Sequence, residues 1–289
     1  MRDPAARIRR ATQRRWGQNF LVNRRAADRI LAAFAPDPAD RVLEIGPGDG
    51  ALTRDLAGRV ARLVAVEVDP GLAGALARQL AGHVDAGTLS IVTGDVLEID
   101  LPGILRDLAA GRAGGARVLA NLPYNIATAV ILRLLECGAH LRDLMVMVQR
   151  EVADRIVSPP RRKSYGALSV LCQTRARVDT ILRLGPGSFR PVPKVDSSVI
   201  RFTLPPSPGP HDPAALSALL RAAFRQRRKT MLNNLAGFRP PGADQGAIGT
   251  EQAAAWLQRA GIDPRTRAEE IPPHGFLELL GWRDRIRSR

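Results

Sequence analysis

Four consecutive residues in the middle of the chain, Asn121-Leu122-Pro123-Tyr124, combine hydrogen-bond acceptors with an aromatic ring. The Asn121 side-chain oxygen and the Leu122 carbonyl can both accept hydrogen bonds from one planar amine, whose nitrogen then becomes a better nucleophile. Pro123 restricts the backbone so that both acceptors point the same way, and Tyr124 offers a face on which a base can stack. The pattern predicts chemistry on an exocyclic base amine; a plain strand-to-loop turn is the alternative.

A glycine-rich segment, Gly46-Pro47-Gly48-Asp49-Gly50, follows an apolar run and predicts a ligand-binding loop. Glycines let the backbone approach a ligand where a Cβ atom would clash. Glu67 ends the next apolar run and can accept hydrogen bonds from both hydroxyls of a ribose. Asp95 ends the third run and can accept from an adenine amine. Together these residues predict a nucleoside-containing cofactor, with a turn that binds nothing as the alternative.

Two cofactors fit this loop, NAD and S-adenosylmethionine. The pyrophosphate of NAD favours a helix N-terminus without nearby negative charge, whereas Asp49 suits a cationic sulfonium better. The Asn-Leu-Pro-Tyr motif favours S-adenosylmethionine more strongly, because it resembles the Asn/Asp-Pro-Pro-Tyr-type motifs of amino-methyltransferases. An NAD oxidoreductase stays open as an alternative on these residues alone.

Alternating strands and helices must position these residues. Apolar, β-branched runs predict buried parallel strands, and the amphipathic stretches between them predict helices. The repetition predicts an α/β fold with an open, mostly parallel sheet, whose last strand closes the edge in the antiparallel direction. The predicted strands are Arg41–Gly46, Leu63–Asp69, Leu89–Val96, Arg117–Pro123, Asp143–Gln149, Thr180–Leu184 and Ser197–Leu204, and the helices include Ala51–Val60, Gly71–Leu80 and Ala127–Cys137.

The proline-rich segment Pro205–Pro210 cannot lie inside a helix or a sheet, and it predicts a domain boundary. We therefore expect a cofactor-binding catalytic domain over residues 1–204 and a smaller helical domain over residues 205–289. Three helices are expected in the second domain: one capped by Asp212 and running to Leu235, one capped by Thr250 and ending near Gly261, and one over Phe276–Trp282.

Positive charge is concentrated in two segments of a chain whose formal net charge is +15. Residues 1–25 carry eight arginines and one acid, and residues 221–239 carry six basic residues and no acid. Such segments attract a polyanion and release its counterions, which favours a nucleic acid over the alternative of a solvated basic face. The spacing of the two cysteines and four histidines predicts no metal site, and no apolar run is long enough to span a membrane.

Beyond these motifs, the chain resembles the small-subunit rRNA adenine dimethyltransferases (the KsgA/RsmA family) along nearly its whole length. The resemblance implies a Rossmann-like class I methyltransferase sheet with a smaller C-terminal helical domain, and S-adenosylmethionine as cofactor. It also implies two methyl transfers to N6 of each of two adjacent adenosines near the 3′ end of 16S rRNA, in an immature small subunit. The further matching segments are Gly17–Leu21, Val148–Arg155, Tyr165–Ser169, Phe189–Ser197, Phe224–Thr230, Gly261–Pro264 and Arg267–Glu269.

The resemblance also implies roles for single residues. Phe189 is expected to sandwich the target adenine opposite Tyr124, with a place in the core as its alternative. Basic residues on a helix of the second domain are expected to bind RNA phosphates. The implied cofactor contacts are Asn19, Leu21, Gly46, Gly48, Glu67, Asp95 and Asn121, and the implied phosphate contacts are Arg225, Arg227, Arg228 and Lys229.

Two other functions remain open at this point. One is a resistance-type methyltransferase that acts on large-subunit rRNA; the segments Gly261–Pro264 and Arg267–Glu269 favour the small subunit instead. The other is a non-catalytic RNA-binding or transcription-associated factor on the same fold, against which the intact Asn-Leu-Pro-Tyr motif argues. We expect a cytoplasmic monomer.

Overall fold

The computed structural model describes residues 18–111, 114–205, 212–241 and 246–287, with side chains up to residue 281. Gly17, most of the basic N-terminal segment and residues 206–210 of the proline-rich segment therefore lie outside the described residues. Contacts group the residues up to Ala153 and from Arg177 to Pro205 in one unit, and Asp154–Ala176 with the C-terminal residues in another. This division differs from the predicted single boundary after residue 204.

The first unit is built on a seven-stranded sheet whose order along the sheet is β4-β3-β2-β5-β6-β9-β7. Its strands are β2 (Arg41–Ile45), β3 (Arg62–Glu67), β4 (Leu89–Thr93), β5 (Ala116–Asn121), β6 (Leu141–Gln149), β7 (Arg177–Leu184) and β9 (Ser197–Thr203). Strands β2 to β6 are parallel, and β9 is antiparallel to both of its neighbours. From β2 the chain continues through β3 to β4 at one edge of the sheet. It then returns to β5, beside β2 on the other side, and continues in the opposite direction through β6. In this architecture ligands bind at the carboxyl ends of the two strands where the order reverses.

The predicted mostly parallel sheet is confirmed, and so is the antiparallel direction of its last strand. The predicted edge position of that strand is wrong, because β9 lies between β6 and β7. Its residues are almost all buried, whereas the residues of β7 are mostly half-buried or exposed, as suits an edge strand. Two further short strands, β1 (Phe20–Leu21) and β8 (Phe189–Arg190), pair with each other in antiparallel fashion.

Helices of the first unit connect the strands. Asn23 caps the first helix with its side chain, which accepts a hydrogen bond from Ala26 N at 3.1 Å. The predicted helix Ala51–Val60 is wrong in length: only Thr53–Leu56 is helical, and Gly58, with φ +83°, follows it. The helices are α1 (Arg24–Phe34), α2 (Thr53–Leu56), α3 (Pro70–Gln79), α4 (Ala81–Asp85), α5 (Leu101–Ala109), α6 (Ala127–Glu136) and α7 (Arg150–Ile156), which continues in the chain into the second unit.

The second unit is helical, as predicted. Its helices are α8 (Ala167–Gln173), α9 (Pro213–Ala223), α10 (Met231–Leu235), α11 (Thr250–Arg259) and α12 (Pro273–Arg287). Asp212 caps α9 as predicted, but the helix expected to run on to Leu235 is two helices, because Thr230 caps a new one. Gly249, not Thr250, is the N-cap of α11. Tyr165 and Val170 lie in the core of this unit, which explains why Asp154–Ala176 belongs to it.

A buried ion cluster lies at the amino ends of the central strands. The Arg117 side chain, 5% exposed, contacts Asp143 at 2.8 Å and Asp40 at 2.7 Å. Its remaining hydrogen-bond donors reach the carbonyls of Phe34 and Ala35 at the C-terminus of α1, at 2.6 and 3.1 Å. One guanidinium therefore holds β2, β5, β6 and α1 together at the amino ends of the strands. The predicted site lies at the opposite, carboxyl ends.

Candidate active site

The glycine loop after β2 is packed closely against its neighbours. Gly46 has φ +70°, and a Cβ atom there would lie 2.7 Å from the Asn121 carbonyl oxygen at the end of β5. Gly48 has φ +60°, and its Cβ atom would lie 3.0 Å from the Phe20 ring. Both positions require glycine, because an L side chain would combine a left-handed backbone with a steric clash. The loop thus brings backbone from β2 against the end of β5.

Glu67 holds this loop from the end of β3. Its carboxylate accepts hydrogen bonds from the backbone N–H groups of Gly48 and Asp69 and from the Gln18 amide, all at 3.0 Å. A carboxylate has about four acceptor positions, so three are already used by the protein. A ribose that donated two hydroxyls to Glu67 would need the Gln18 side chain to move.

Two adjoining cavities lie at this end of the sheet. They share Phe20, Gly46, Gly48 and Asn121 in their walls. The first is also lined by Gln18, Asn19, Leu122, Pro123 and Tyr124, and the second by Leu21, Glu44, Pro47, Asp49, Ala51 and Leu52. The structure therefore brings the predicted catalytic motif, the glycine loop, Asn19 and Leu21 to one place.

Two buried acceptor atoms of residues that line the first cavity lack protein partners among the described residues. They are Gln18 Oε1 and Asn19 Oδ1. A buried polar atom that forms no hydrogen bond costs free energy, and a bound ligand with N–H and O–H donors would supply the missing partners. The adenosine portion of S-adenosylmethionine carries such donors, and the glycine loop provides room for close backbone contact. The residues present therefore fit this cofactor.

Asp95 follows the end of β4 and turns back on its own backbone. Its Oδ1 accepts a hydrogen bond from Leu97 N at 2.8 Å, and Asp95 is absent from the walls of both cavities. The predicted contact between Asp95 and an adenine amine is therefore not visible in the arrangement of the protein alone.

The Asn-Leu-Pro-Tyr motif begins with the last residue of β5 and lines the first cavity. Asn121 Nδ2 makes a long contact of 3.4 Å to the Asn19 carbonyl, which leaves Asn121 Oδ1 as an acceptor for a ligand. Leu122 N donates to Met147 O at 3.4 Å, which fixes the turn against β6. The Tyr124 hydroxyl lies 2.7 Å from the Ser197 hydroxyl, and the Tyr124 ring is half-buried at the cavity wall.

Phe189 does not lie beside Tyr124 in this cavity. Its ring is 1% exposed and belongs to the apolar core of the first unit, together with Leu21 and Val199. The backbone of Phe189 pairs with Leu21 across the β1–β8 ribbon, so the ring is held in the core by that pairing. The predicted sandwich with Tyr124 is corrected accordingly: burial among apolar side chains decides the place of this ring.

Glu44 is a buried acid that the sequence analysis did not consider. It lies in β2 below the glycine loop and is 2% exposed, and burial raises its pKa to about 8. Nearby Glu67 raises this pKa as well, while Thr53 and Arg54 oppose the shift. A single acid inside an apolar strand run was the available sequence signal, since such a residue must either be paired or hold its proton.

Glu44→Gln should change how stability depends on pH. A carboxyl whose pKa is about 8 in the folded chain and near 4.5 when unfolded stabilises the fold below about pH 4.5 and progressively loses that effect up to pH 8. The neutral variant should therefore gain stability relative to the wild type as pH rises from 5 to 8.5, by up to a few kcal/mol. Urea unfolding across this range measures it, with exposed Glu98→Gln as control. A difference that stays constant with pH would contradict the prediction.

The predicted phosphate-binding residues of the second unit lie in a turn between α9 and α10, not on a helix as expected. Arg225, Arg228 and Lys229 are exposed there. Arg227 is held differently, because its Nε atom lies 2.6 Å from Glu269 Oε2 and its Nη2 donates to Arg162 O at 3.2 Å. Arg227 therefore braces the turn against two other segments, and the remaining three cations are the candidate phosphate contacts.

Within the described ranges of the chain, no three His, Cys, Asp or Glu side chains come together as possible metal ligands. Within the same ranges, the helices are too short or too polar to cross a bilayer.

The sheet order, the glycine loop and the amine-binding motif at the switch point define a methyltransferase of the Rossmann-like class I type. The model of the ribosomal RNA adenine dimethylase family matches residues 9–280. The chain belongs to this family, since that match spans almost all of it.

Relatives and solved structures agree with this family. The chain is 42% identical over 282 residues to ribosomal RNA small subunit methyltransferase A of Geobacter metallireducens, with 96% of each chain covered. It is 38% identical to the protein of that name from Acidithiobacillus ferrooxidans, with 92% of each covered. Its fold is similar to a dimethyladenosine transferase from Plasmodium falciparum (TM-score 0.76, 20% identity, 92% of this chain and 98% of that one). It is also similar to the 23S rRNA methyltransferase ErmE (TM-score 0.64, 26% identity, 92% and 100%).

Proposed function

We propose that this protein transfers methyl groups from S-adenosylmethionine to N6 of two adjacent adenosines near the 3′ end of 16S small-subunit rRNA. The observation that carries the proposal is the position of Asn121, which forms part of both cavities. One cavity is walled by the glycine loop, and the other by Leu122, Pro123 and Tyr124. Asn121 is therefore the residue that a cofactor and a target base would share.

The chemistry follows from these groups. S-adenosylmethionine, when bound, supplies an electrophilic methyl group. Asn121 Oδ1 and the Leu122 carbonyl accept hydrogen bonds from the adenine amine, which localises the nitrogen lone pair and makes it nucleophilic. Tyr124 stacks on the base, which offsets part of the cost of removing it from its own stack. The amine loses a proton to solvent with each transfer, so no strong general base is needed.

Gln18, Asn19, Gly46, Gly48 and Glu67 would hold the cofactor. The backbone N–H of Gly48 and the Gln18 amide orient the Glu67 carboxylate, which would accept both ribose hydroxyls once the Gln18 side chain moves away. Leu21 would pack against the cofactor from β1, and Asp95 would accept from the adenine amine of the cofactor after its turn adjusts.

The choice of small-subunit rRNA is supported by the curated relatives. Those named small subunit methyltransferase A are 36–42% identical to this chain over more than nine-tenths of its length, whereas the large-subunit enzyme ErmE is 26% identical. The proposal includes an immature small subunit as the substrate particle, a monomeric enzyme, and a cytoplasmic location where such subunits assemble.

Methyl transfer to isolated ribosomal subunits tests the substrate. Purified protein and labelled S-adenosylmethionine would be incubated with undermethylated small subunits and, in parallel, with large subunits. We expect label in small-subunit RNA alone. Label confined to large subunits would retain the chemistry and contradict the substrate, and no label in either would contradict the proposed function.

The basic turn of the second unit makes a separate prediction about RNA affinity. Arg228→Ala combined with Lys229→Ala should weaken binding of small-subunit RNA uniformly and reduce the salt slope of log K by about 2, since each phosphate contact contributes about one unit. Filter binding at several salt concentrations measures this slope. Arg78→Ala with Arg106→Ala removes the same charge from exposed positions of the first unit and should leave the slope nearly unchanged. Equal slopes for the two double variants would contradict the assignment.

A further inference from the structure

The partner of the Tyr124 hydroxyl is a buried serine on a different strand. Ser197 is the first residue of β9, is 0% exposed, and its hydroxyl lies 2.7 Å from the Tyr124 hydroxyl. Its backbone is paired with Gln149 of β6 on one side and with Leu184 of β7 on the other. The Ser197 oxygen is therefore attached to a backbone that neighbouring strands hold from both sides.

The segment just before Ser197 is held as well. Arg150 N donates to the Asp196 carbonyl at 2.9 Å, and the Arg150 guanidinium lies 3.3 Å from the Asp196 carboxylate. Tyr124, in contrast, lies in the turn after β5, which is closed by a hydrogen bond from Ile126 N to Pro123 O at 3.2 Å. The Tyr124 hydroxyl is thus bonded to strand β9, which is paired on both sides, whereas the Tyr124 backbone lies in a turn.

Fixing the hydroxyl limits how the ring can move. The long axis of a tyrosine side chain runs from Cβ to the hydroxyl oxygen, so a bond at each end leaves only rotation about that axis. A ring without the distal bond can change its χ1 rotamer and leave the cavity wall. Stacking on a base needs the ring at one place on the cavity wall. The bond to Ser197 would keep the long axis of the ring there and leave the ring free to turn its face to the base.

Burial of a serine hydroxyl in this strand does not by itself create such a bond. Ser198, the next residue of β9, is 1% exposed, and its hydroxyl has no hydrogen-bond partner among the described residues. Successive strand residues point to opposite faces, so only Ser197 reaches the tyrosine. The pair offers a natural comparison between a serine that meets the catalytic motif and one that does not.

We propose that Ser197 is a positioning residue that holds the Tyr124 ring at the cavity wall, in the place from which it stacks on the target adenine. This inference rests on the proposed function, because the stacked base is the substrate of that reaction. Ser197 itself does not touch the reacting atoms and acts through Tyr124.

A double-mutant cycle tests this role. Ser197→Ala and Tyr124→Phe each remove one hydroxyl of the pair, and each should lower kcat/KM for small-subunit RNA by about three- to tenfold, the range expected for one hydrogen bond. If Ser197 acts through the phenol, the kcat/KM of the double variant should be no lower than that of the less active single variant. Ser198→Ala should leave kcat/KM unchanged. Additive losses in the cycle would overturn the proposal.

The tyrosine resonances give a readout that does not depend on activity. The chain has two tyrosines, so ring-labelled protein gives two sets of NMR signals, and Tyr124→Phe assigns one of them. Burial raises the pKa of Tyr124, and the hydrogen bond between its hydroxyl and that of Ser197 opposes that rise. Ser197→Ala should therefore raise the pKa of Tyr124 further, and Ser198→Ala should not.

The two readouts separate the possible failures. A Tyr124 titration that is identical in wild type and Ser197→Ala would show that no such bond exists and would overturn the proposal. If the wild type methylates no ribosomal RNA, the proposed function fails and the stacking role fails with it, while the titration still reports whether the bond forms.

Discussion

Asn121→Ala is expected to lower the rate of methyl transfer by about 10²-fold or more, the loss found when one preorganised hydrogen-bonding group at a reacting centre is removed. The variant loses the side-chain acceptor that faces the adenine amine and keeps the backbone acceptor of Leu122. Its fold should survive, because among the described residues the Asn121 amide makes one hydrogen bond, a long contact of 3.4 Å. Single-turnover transfer to small subunits at saturating cofactor measures this rate.

The control is an asparagine in the same turn. Asn125 is exposed, and Asn125→Ala should transfer methyl groups at close to the wild-type rate. Binding of S-adenosylhomocysteine to both variants, measured by calorimetry, separates loss of chemistry from loss of cofactor affinity. Transfer by Asn121→Ala at the wild-type rate would contradict the role given to the side-chain acceptor.

Arg117→Met should cost about 3–5 kcal/mol of stability, because it removes the one buried cation that two buried carboxylates share. Asp40 then keeps only the half-exposed Arg142 at 3.0 Å, and Asp143 keeps only Arg201 at 4.0 Å. Asp40 and Asp143 lie within 2.8 Å of the guanidinium, and the Phe34 and Ala35 carbonyls at the end of α1 lose donors as well. Burial alone would raise the pKa of Asp40, but the Asp37 N–H and Arg117 hold it below its ordinary value. Without Arg117 the balance should reverse, so the stability deficit should shrink as pH falls towards 5.

Urea unfolding of Arg117→Met at pH 7.5 and pH 5 measures both effects. The control is Arg177→Met, which breaks an ion pair with Asp179 whose arginine is 77% exposed and should cost less than about 1 kcal/mol. Adding Asp40→Asn and Asp143→Asn to Arg117→Met should restore much of the loss, since no buried charge is then left unpaired. A loss below 1 kcal/mol in the single variant would contradict the structural role of this cluster.

The sheet and the glycine loop could be predicted because their signals are local. The parallel strands β2, β3, β5 and β6 are buried on both faces and read as apolar runs, and a loop with φ near +70° at Gly46 requires glycine. The place of β9 between two other strands is decided by pairing with distant residues, which its alternation does not encode. The membership of Asp154–Ala176 in the second unit depends in the same way on Tyr165, whose ring is buried among the C-terminal helices.

Site residues could be predicted where the reaction requires a particular residue type. They were missed where packing in the fold decides the position of a side chain. Asn121 and Tyr124 lie in the cavity wall because their strand ends at the switch point. Phe189 reads as a stacking residue, yet an aromatic ring next to a paired strand gains more from burial in the core than from exposure at a cavity. Arg227 reads as one more cation of a basic run, and only the fold places Glu269 beside it. Ser197 carries no signal until the strands bring it to Tyr124.

The identity of the modified nucleoside tests the central claim most directly. Undermethylated small subunits would be treated with the wild-type protein and S-adenosylmethionine, and the rRNA would be digested to nucleosides and analysed by mass spectrometry. We predict N6,N6-dimethyladenosine in an amount that approaches two per small subunit, with N6-methyladenosine appearing first. A methyl group on a ribose or on a ring atom of a base would contradict the account, because the acceptors of Asn121 and Leu122 are suited to an exocyclic amine. A methyl group on the exocyclic amine of cytosine would retain this chemistry and contradict adenine as the target base.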